Sequence, residues 1–470
     1  MSGTTESRFL ASTVAAYGSQ LVRVLLRFGT DIALARLVVP VDHGLFDLAL
    51  ATVLVASVVR DFGVSYQLVR DDREPYGTVF AWSLGSGVLM TLALLAAAPL
   101  FAGFHPDLPA VLRGLSPLVL LEALAVVPRV YFERRLEVGR LVLPEILRGA
   151  TLAVLGVGLA LTGAGVWSFV VAELAGAGLV AALLWWRVRG LLVLRFERHL
   201  LPDLLRQSLW LCLIALCAFT LPYLERFVVA PFITTAILAE YTKARQWGVR
   251  MTTLVVPAVQ RVLYPTLVAY RADPTRAFAA FRIGTVSILA AEVLAAYGLY
   301  WNPGMAQRLL LGPAWTGAVP LLQALAFLPL VDPFTRLGGE LLKAHRRDRI
   351  WLVVVALNLL SLLGFGLFLA SRHGAPGMAW ANYLLLGNVL MAWQVHQILG
   401  RDFWRLARDL LVLYLVPLPL FLLVGRVFPN EGWERLGASL AAAALAAGLY
   451  ALRFGKPFRA FFRPQPEALA

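Results

Sequence analysis

Cysteine is nearly absent: 470 residues hold two, Cys212 and Cys217. They stand five apart in one apolar stretch, on different faces of a helix, which argues against a disulfide framework or a metal site. The six histidines, His43, His105, His199, His345, His373 and His396, occur singly or in connections. There is no HExxH, no GxxxxGK[ST] and no nucleophile elbow, so nothing points to a cofactor, a catalytic centre or ATP hydrolysis. Charge is scarce as well. Asp, Glu, Lys and Arg make up 15% of the chain, where soluble proteins carry about a quarter, and hydrophobic residues make up 60%. With a mean hydropathy of +0.75, a soluble domain is excluded.

What fills the chain is apolar stretches of membrane-spanning length, roughly 20 residues each, with short connections. About fourteen are expected: residues 9–35, 44–69, 77–103, 109–130, 142–163, 165–186, 207–232, 236–263, 279–301, 317–342, 350–371, 375–399, 409–428 and 435–453. Only Arg8 precedes the first, which is too long for a signal-peptide core and reads as an uncleaved span. The first two spans are expected to turn at Pro40 to Gly44.

Basic residues set the orientation. Alternate connections are rich in arginine, among them Arg70 and Arg73, Arg134 and Arg135, Arg187 and Arg189, Arg346 and Arg347, and Arg401 and Arg405, whereas the intervening ones carry few or none. The basic side is cytoplasmic by the positive-inside rule, which places both termini in the cytoplasm. A net charge of +14 is then largely a topology signal facing anionic membrane lipids. Nucleic acid is a poor partner for basic residues scattered over many short loops.

Charges inside the apolar stretches need a reason, because each costs about 2.5 to 3.5 kcal/mol at the bilayer centre and usually faces a bundle interior or water. Arg23, Arg27 and Asp31 follow each other at i, i+4, i+8, on one helical face. Arg60 and Asp61 lie inside the second stretch, and Arg226 in the seventh. In the eighth, Lys243 and Arg250 are i, i+7 with Trp247 between them, so one face offers two cations and an aromatic ring. Arginine forks onto phosphate and aromatic rings stack on sugars, which suits a cavity for an anionic headgroup. Local ion pairs are the plainer explanation: Arg27 with Asp31, Arg226 with Glu225, Lys243 with Glu240, Arg336 with Asp332, and an Arg60 that snorkels to the interface. Carboxylates in apolar runs, Glu122, Glu173, Glu292 and Asp332, are candidates for carrying a coupling ion, or are neutral groups bonded to a neighbouring helix. Glu173 and Glu292 have no basic residue within a turn. Pro222, Pro257, Pro329 and Pro333 are expected to bend helices.

An offset of 195 residues sets ARLVVPVDHGLFDLA beside APFITTAILAEYTKA, a weak repeat of the kind found in two-lobed transporters. The segments ALARLVVPVDHGLFDLAL, YFERRLEVGRLVLPEILRG, VQRVLYPTLVAYRADPTRAFAAFR, LLGPAWTGAVPLLQALAF and LLKAHRRDR, in that order, resemble their counterparts in bacterial oligosaccharide flippases. These are the polysaccharide transporters of the Wzx type, in a superfamily with multidrug antiporters and lipid II flippases. The resemblance implies an all-α integral membrane protein with two six-helix lobes in pseudo-twofold arrangement around a central cavity, plus two C-terminal helices. The N-lobe would span 1–190, a cytoplasmic linker 191–206, the C-lobe 207–400, and the added helices and basic tail 401–470. It further implies an inner-membrane transporter, not an enzyme, that flips an undecaprenyl-pyrophosphate-linked oligosaccharide by ion-coupled alternating access. Polysaccharide polymerase and export machinery are the implied partners. Arg23, Arg27, Arg60, Arg226, Lys243, Trp247 and Arg250 are the residues expected to meet that substrate. Rivals are a lipid II flippase, a drug antiporter, whose cationic substrates suit an arginine-rich cavity badly, and a membrane-embedded glycan polymerase, which needs larger outer loops.

Overall fold

A computed structural model describes residues 26–70, 73–135, 137, 139–189, 195–270 and 273–461. Among the described residues every regular element is helical, as hydrocarbon requires of a backbone that must satisfy its own hydrogen bonds. Ten helical stretches there are long and apolar enough to cross a membrane. Large side chains such as Leu100, Val154 and Leu452 lie exposed on them, where lipid takes the place of water. The chain is a multi-pass membrane protein. It gathers into two compact units, Met1–Ala239 and Glu240–Ala470.

The first unit holds α1 (26–37), α2 (Pro40–Asp61), α3 (Val64–Arg70), α4 (Tyr76–Ala97), α5 (Leu108–Leu115), α6 (Pro117–Arg134), α7 (Gly139–Thr151), α8 (Val157–Leu161), α9 (Trp167–Val188) and α10 (Leu201–Val229). The turn expected at Pro40 to Gly44 comes earlier, at Val38 and Val39, because Pro40 opens α2. Its fixed φ suits the first helical turn, where no N–H is needed. α2 stops at Phe62 (φ 51°), whose N–H bonds back to Val58 O, and Gly63 (φ 73°) redirects the chain into α3. Gly44 is required by contact: a Cβ there would stand 2.0 Å from Thr235 O. A π turn at Leu152–Gly156 joins α7 to α8 inside one membrane span.

The segment 195–197 lies on the start of α4. Glu197 N–H donates to Thr78 Oγ1 (2.9 Å), that hydroxyl donates to Glu197 O (3.3 Å), and Gly77 leaves room for the Arg195 backbone. The compact units divide after Ala239, with α10 packed on α2 and α3 in the first. Phe132, Leu184 and Leu204 are among the buried side chains of this unit's core.

α11 (Thr235–Gly248) leads into the second unit, which continues with α12 (Arg250–Ala269), α13 (Pro274–Trp301), α14 (Pro303–Leu310), α15 (Ala318–Leu325), α16 (Asp332–Ala344), α17 (Asp348–Ala381), α18 (Leu386–Leu399), α19 (Arg401–Leu415), α20 (Pro417–Val427) and α21 (Trp433–Phe461). α2 and α11 begin at Pro40 and Thr235, 195 residues apart, which is the offset of the sequence repeat. The eighth apolar stretch is not one helix. It breaks at Val249 (φ −95°, ψ 12°), beside Gly248, which seats against Leu325 O. Pro329 falls in a 3-10 turn, Leu328–Leu330, that separates α15 from α16.

α17 reverses at Gly374 (φ 60°, ψ −134°) with no loop. Contacts run antiparallel from there. Gly377 packs on Leu369 O, Ser361 Oγ accepts from Leu386 N–H (3.1 Å), and Asn358 Nδ2 donates to Asn388 Oδ1 (3.1 Å). Phe281, Leu289, Leu341, Met391 and Phe421, all buried, belong to one core that includes α19 to α21.

The two C-terminal helices are tied in by charge. Asp409 of α19 is wholly buried and accepts from Arg282 Nε of α13 at 2.6 Å, with Arg453 Nη2 of α21 at 3.7 Å.

Candidate functional site

The first unit carries a half-buried charge cluster contributed by three helices. Arg148, in the last turn of α7, stands between α6 and α9. Its Nη1 donates to Glu122 Oε1 at 2.7 Å and its Nη2 to Glu173 Oε2 at 3.1 Å. Gly176, one turn after Glu173, makes the passage: a Cβ there would meet Arg148 Cγ at 3.1 Å. Glu122 also lies within electrostatic reach of Arg60 on α2.

Arg60 is 6% exposed, so it does not snorkel out of the unit. Its Nε donates to Ser57 O at 3.4 Å, a long bond, and Nη1 has no hydrogen-bond partner among the described residues. The neighbouring Asp61 is occupied by Ser65 Oγ, which donates to it at 2.7 Å. A desolvated guanidinium with an unbonded donor is costly, and the cost is recovered when an anion accepts that N–H. Arg60 is thus a buried cation whose Nη1 is left without a hydrogen bond among the described residues.

This arrangement corrects one expectation. Glu173 has no basic neighbour along its own helix, yet it shares Arg148 with Glu122, so neither carboxylate is an isolated group. Helical spacing could not pair Arg148 with these carboxylates, which lie 26 and 25 residues from it.

Arg226 of α10 makes a second link to α2. Its Nη1 donates to the backbone carbonyl of Asp47 at 2.9 Å, with Asp47 Oδ1 at 3.7 Å and the Tyr223 ring at 5.4 Å. The ion pair forms across helices with Asp47, not with the adjacent Glu225 weighed from sequence, because consecutive residues on a helix point apart. Arg27 is exposed on α1, and Arg23 lies outside the described residues.

In the second unit Lys243 (8% exposed) and Trp247 (9% exposed) share a face of α11. The break at Val249 removes the continuous i, i+7 face expected for Lys243 and Arg250. Arg250 still stacks on Trp247, with its guanidinium carbon 5.4 Å from the ring centre. The expected pairing of Lys243 with Glu240 is replaced by another bond: Glu240 Oε1 accepts from Gly317 N–H at 3.1 Å. Of the remaining carboxylates, Glu292 is fully buried within electrostatic reach of Tyr414. The Asp332 side chain lies outside the described residues. Glu340, which the sequence reading passed over, is 9% exposed and accepts from Gln260 Nε2 (3.1 Å) and Lys343 Nζ (3.0 Å). Among the described residues no cluster of histidine, cysteine and carboxylates has the makings of a metal site.

Known proteins agree with the fold. The structure resembles a lipid II flippase, MurJ, in its inward closed conformation, with TM-score 0.73 and 13% identity over 95% of this chain and 99% of that one. It also resembles a multidrug resistance MATE family transporter of the MOP superfamily in its inward-facing conformation, with TM-score 0.59 and 17% identity over 82% of this chain and 96% of that one. Identities this low establish the fold alone. By sequence, the chain is 26% identical over 313 residues to the succinoglycan biosynthesis transport protein ExoT of Rhizobium meliloti (strain 1021). That alignment covers 64% of this chain and spans 62% of the length of ExoT. A family model described as polysaccharide biosynthesis protein matches residues 33–320, more than half of the chain. With membrane spans, fold and family match in agreement, this chain belongs to the polysaccharide biosynthesis protein family.

Proposed function

We propose that the protein is a transporter, not an enzyme, that flips an undecaprenyl-pyrophosphate-linked oligosaccharide from the cytoplasmic to the outer leaflet of the bacterial inner membrane. It works by alternating access, drawing on an ion gradient, with both termini in the cytoplasm. Polysaccharide polymerase and export machinery take the product. Family membership and the likeness to a transporter of succinoglycan biosynthesis support a glycan substrate. The observation that carries the anionic half of the reading is Arg60, a buried guanidinium inside a membrane span whose Nη1 has no hydrogen bond among the described residues. Lys243, buried beside the stacked Trp247 and Arg250, adds a cation and an aromatic surface suited to a phosphorylated sugar. Arg226 supports the α2 helix on which Arg60 sits.

The test is a flipping assay in proteoliposomes with a fluorescent undecaprenyl-pyrophosphate oligosaccharide. Wild type is expected to move the lipid, and folded Arg60→Ala and Lys243→Ala variants to fail. Movement of lipid II in preference to the oligosaccharide would reassign the substrate. Export of cationic dyes without lipid movement would replace the reading with a drug antiporter.

A further inference from the structure

Three spans of the second unit are interrupted, and the interruptions meet. The first break is Val249, between α11 and α12; the second is 326–331, between α15 and α16; the third is 382–385, between the returning arm of α17 and α18. α13 and the outgoing arm of α17, which separate these spans in the chain, are unbroken. Gly248 leaves no room for a side chain against Leu325 O, so the first break abuts the second. The Tyr383 hydroxyl donates to Ala324 O at 2.8 Å, which ties the third break to the end of α15. Asn382 Nδ2 donates to the hydroxyl of Tyr241 on α11 at 2.9 Å and to Met378 O on the returning arm at 2.9 Å. Asn382 and Tyr241 are both buried. An interrupted helix in hydrocarbon must have its polar groups answered by protein, and here the answer comes from the other interrupted spans.

These ties fall into two sets. Tyr383 and Asn382 join the segments before the breaks: α11, α15 and the returning arm. The segments after the breaks have ties of their own. Gln260 Nε2 of α12 donates to Glu340 Oε1 of α16 at 3.1 Å, and Thr335 Oγ1 of α16 donates to Asn388 Oδ1 of α18 at 2.8 Å. We propose that the three breaks form one hinge, about which α12, α16 and α18 turn together against α11, α15 and the returning arm, with Tyr383 and Asn382 as the positioning residues that make the breaks act as one. The inference rests on alternating access, as proposed above. α12, α16 and α18 run into the basic connections at 271–276, 343–349 and 401–408, so in the proposed orientation they are the cytoplasmic halves of their spans. Hinges of this kind place the change of backbone angle in a few residues at element ends and leave the helices intact.

The test is hydrogen–deuterium exchange of the full-length protein in detergent, with gel filtration to check that each variant is folded. Tyr383→Phe keeps the ring and removes the bond to Ala324 O. It is expected to speed exchange about fivefold, the scale of one lost hydrogen bond, at all three breaks, including 248–250, which Tyr383 does not touch. Asn382→Ala is expected to do the same at 326–331, which Asn382 does not touch. Exchange along the unbroken α13 should stay as in wild type. A rise confined to the segments each residue touches would overturn the proposal, because the breaks would then be independent. A rise that includes α13 would overturn it as well, since the two residues would merely hold the unit together, and so would no rise at all. Flipping in proteoliposomes gives the functional arm. Both variants are expected to lower the rate at saturating lipid about fivefold and to leave the half-saturating lipid concentration unchanged. An unchanged rate, or a loss confined to half-saturation, would overturn a role in the motion. If wild type moves no lipid, the function proposed above falls, while the exchange result still decides whether the breaks are coupled.

Discussion

Replacing Arg282 by methionine strands a fully buried carboxylate. Asp409 has no solvent access, its Oδ2 receives Arg282 Nε at 2.6 Å, and its other counter-ion, Arg453, stands at 3.7 Å with half of its side chain exposed. At an effective dielectric of about 20, unit charges about 2.6 Å apart attract by roughly 6 kcal/mol before desolvation is counted. Breaking a buried pair by removing one partner costs about 3 to 5 kcal/mol. Arg453 moderates the loss, so Arg282→Met is expected to destabilise the protein by about 3 kcal/mol, roughly 150-fold in the folding equilibrium. Arg453→Met removes a long, half-exposed contact and should cost less than about 1 kcal/mol. Arg282→Met combined with Asp409→Leu replaces the pair by apolar groups and should recover most of the loss. The assay is unfolding in detergent micelles followed by tryptophan fluorescence, for which the chain supplies 13 tryptophans. An Arg282→Met variant within about 1 kcal/mol of wild type, or a double variant as unstable as the single, would refute the reasoning.

Further outcomes follow from the packing. Arg226→Ala should cost about 1.5 to 3 kcal/mol and Asp47→Asn less than about 1, because the close bond is to the Asp47 carbonyl and survives loss of the carboxylate charge; unfolding of both variants checks this. Gly44→Ala forces a methyl against Thr235 O and is expected to lower stability by about 1 to 3 kcal/mol, while Gly29→Ala, with open space around it, should stay within about 0.5 kcal/mol. Trp247→Ala removes the ring beneath Arg250 and should weaken substrate binding about 2- to 30-fold, with Trp247→Phe intermediate, measured as lipid concentration dependence in the flipping assay. Gly374→Ala places a side chain at φ 60°, ψ −134° and should cost about 1 to 3 kcal/mol, read as a lowered melting temperature.

Much of the architecture was legible because membrane spans announce themselves by length and composition. Hydropathy marks most of the spans that the structure describes, and the 195-residue repeat marks where α2 and α11 begin. Interruptions within spans were less legible. The break at Val249 follows from a close approach of Gly248 to Leu325, a contact with a residue far along the chain, and an apolar run carries no mark of it. The charges show the same division. That Arg60, Glu122, Glu173, Arg226 and Lys243 need a polar setting could be read from a charge in an apolar stretch. Their partners could not, because helical periodicity compares a residue only with those three or four places away. Asp47 and Arg148 pair with residues on other helices, and Asp409 does so with Arg282. One signal was available for Arg148: it lies nine residues into α7, about 14 Å along the helix, too deep for a residue that belongs to a loop.

The loopless reversal at Gly374 bears on how the protein is made. A connection of normal length lets one span settle in the bilayer before its successor leaves the ribosome. Here the two arms of α17 share one tight turn at Gly374, which sets the returning arm and then α18 beside the outgoing arm. Past the returning arm, Leu386 and Asn388 of α18 find their partners on the outgoing arm, at Ser361 and Asn358. With so short a turn, the two arms are expected to enter the bilayer together as a hairpin rather than one after the other.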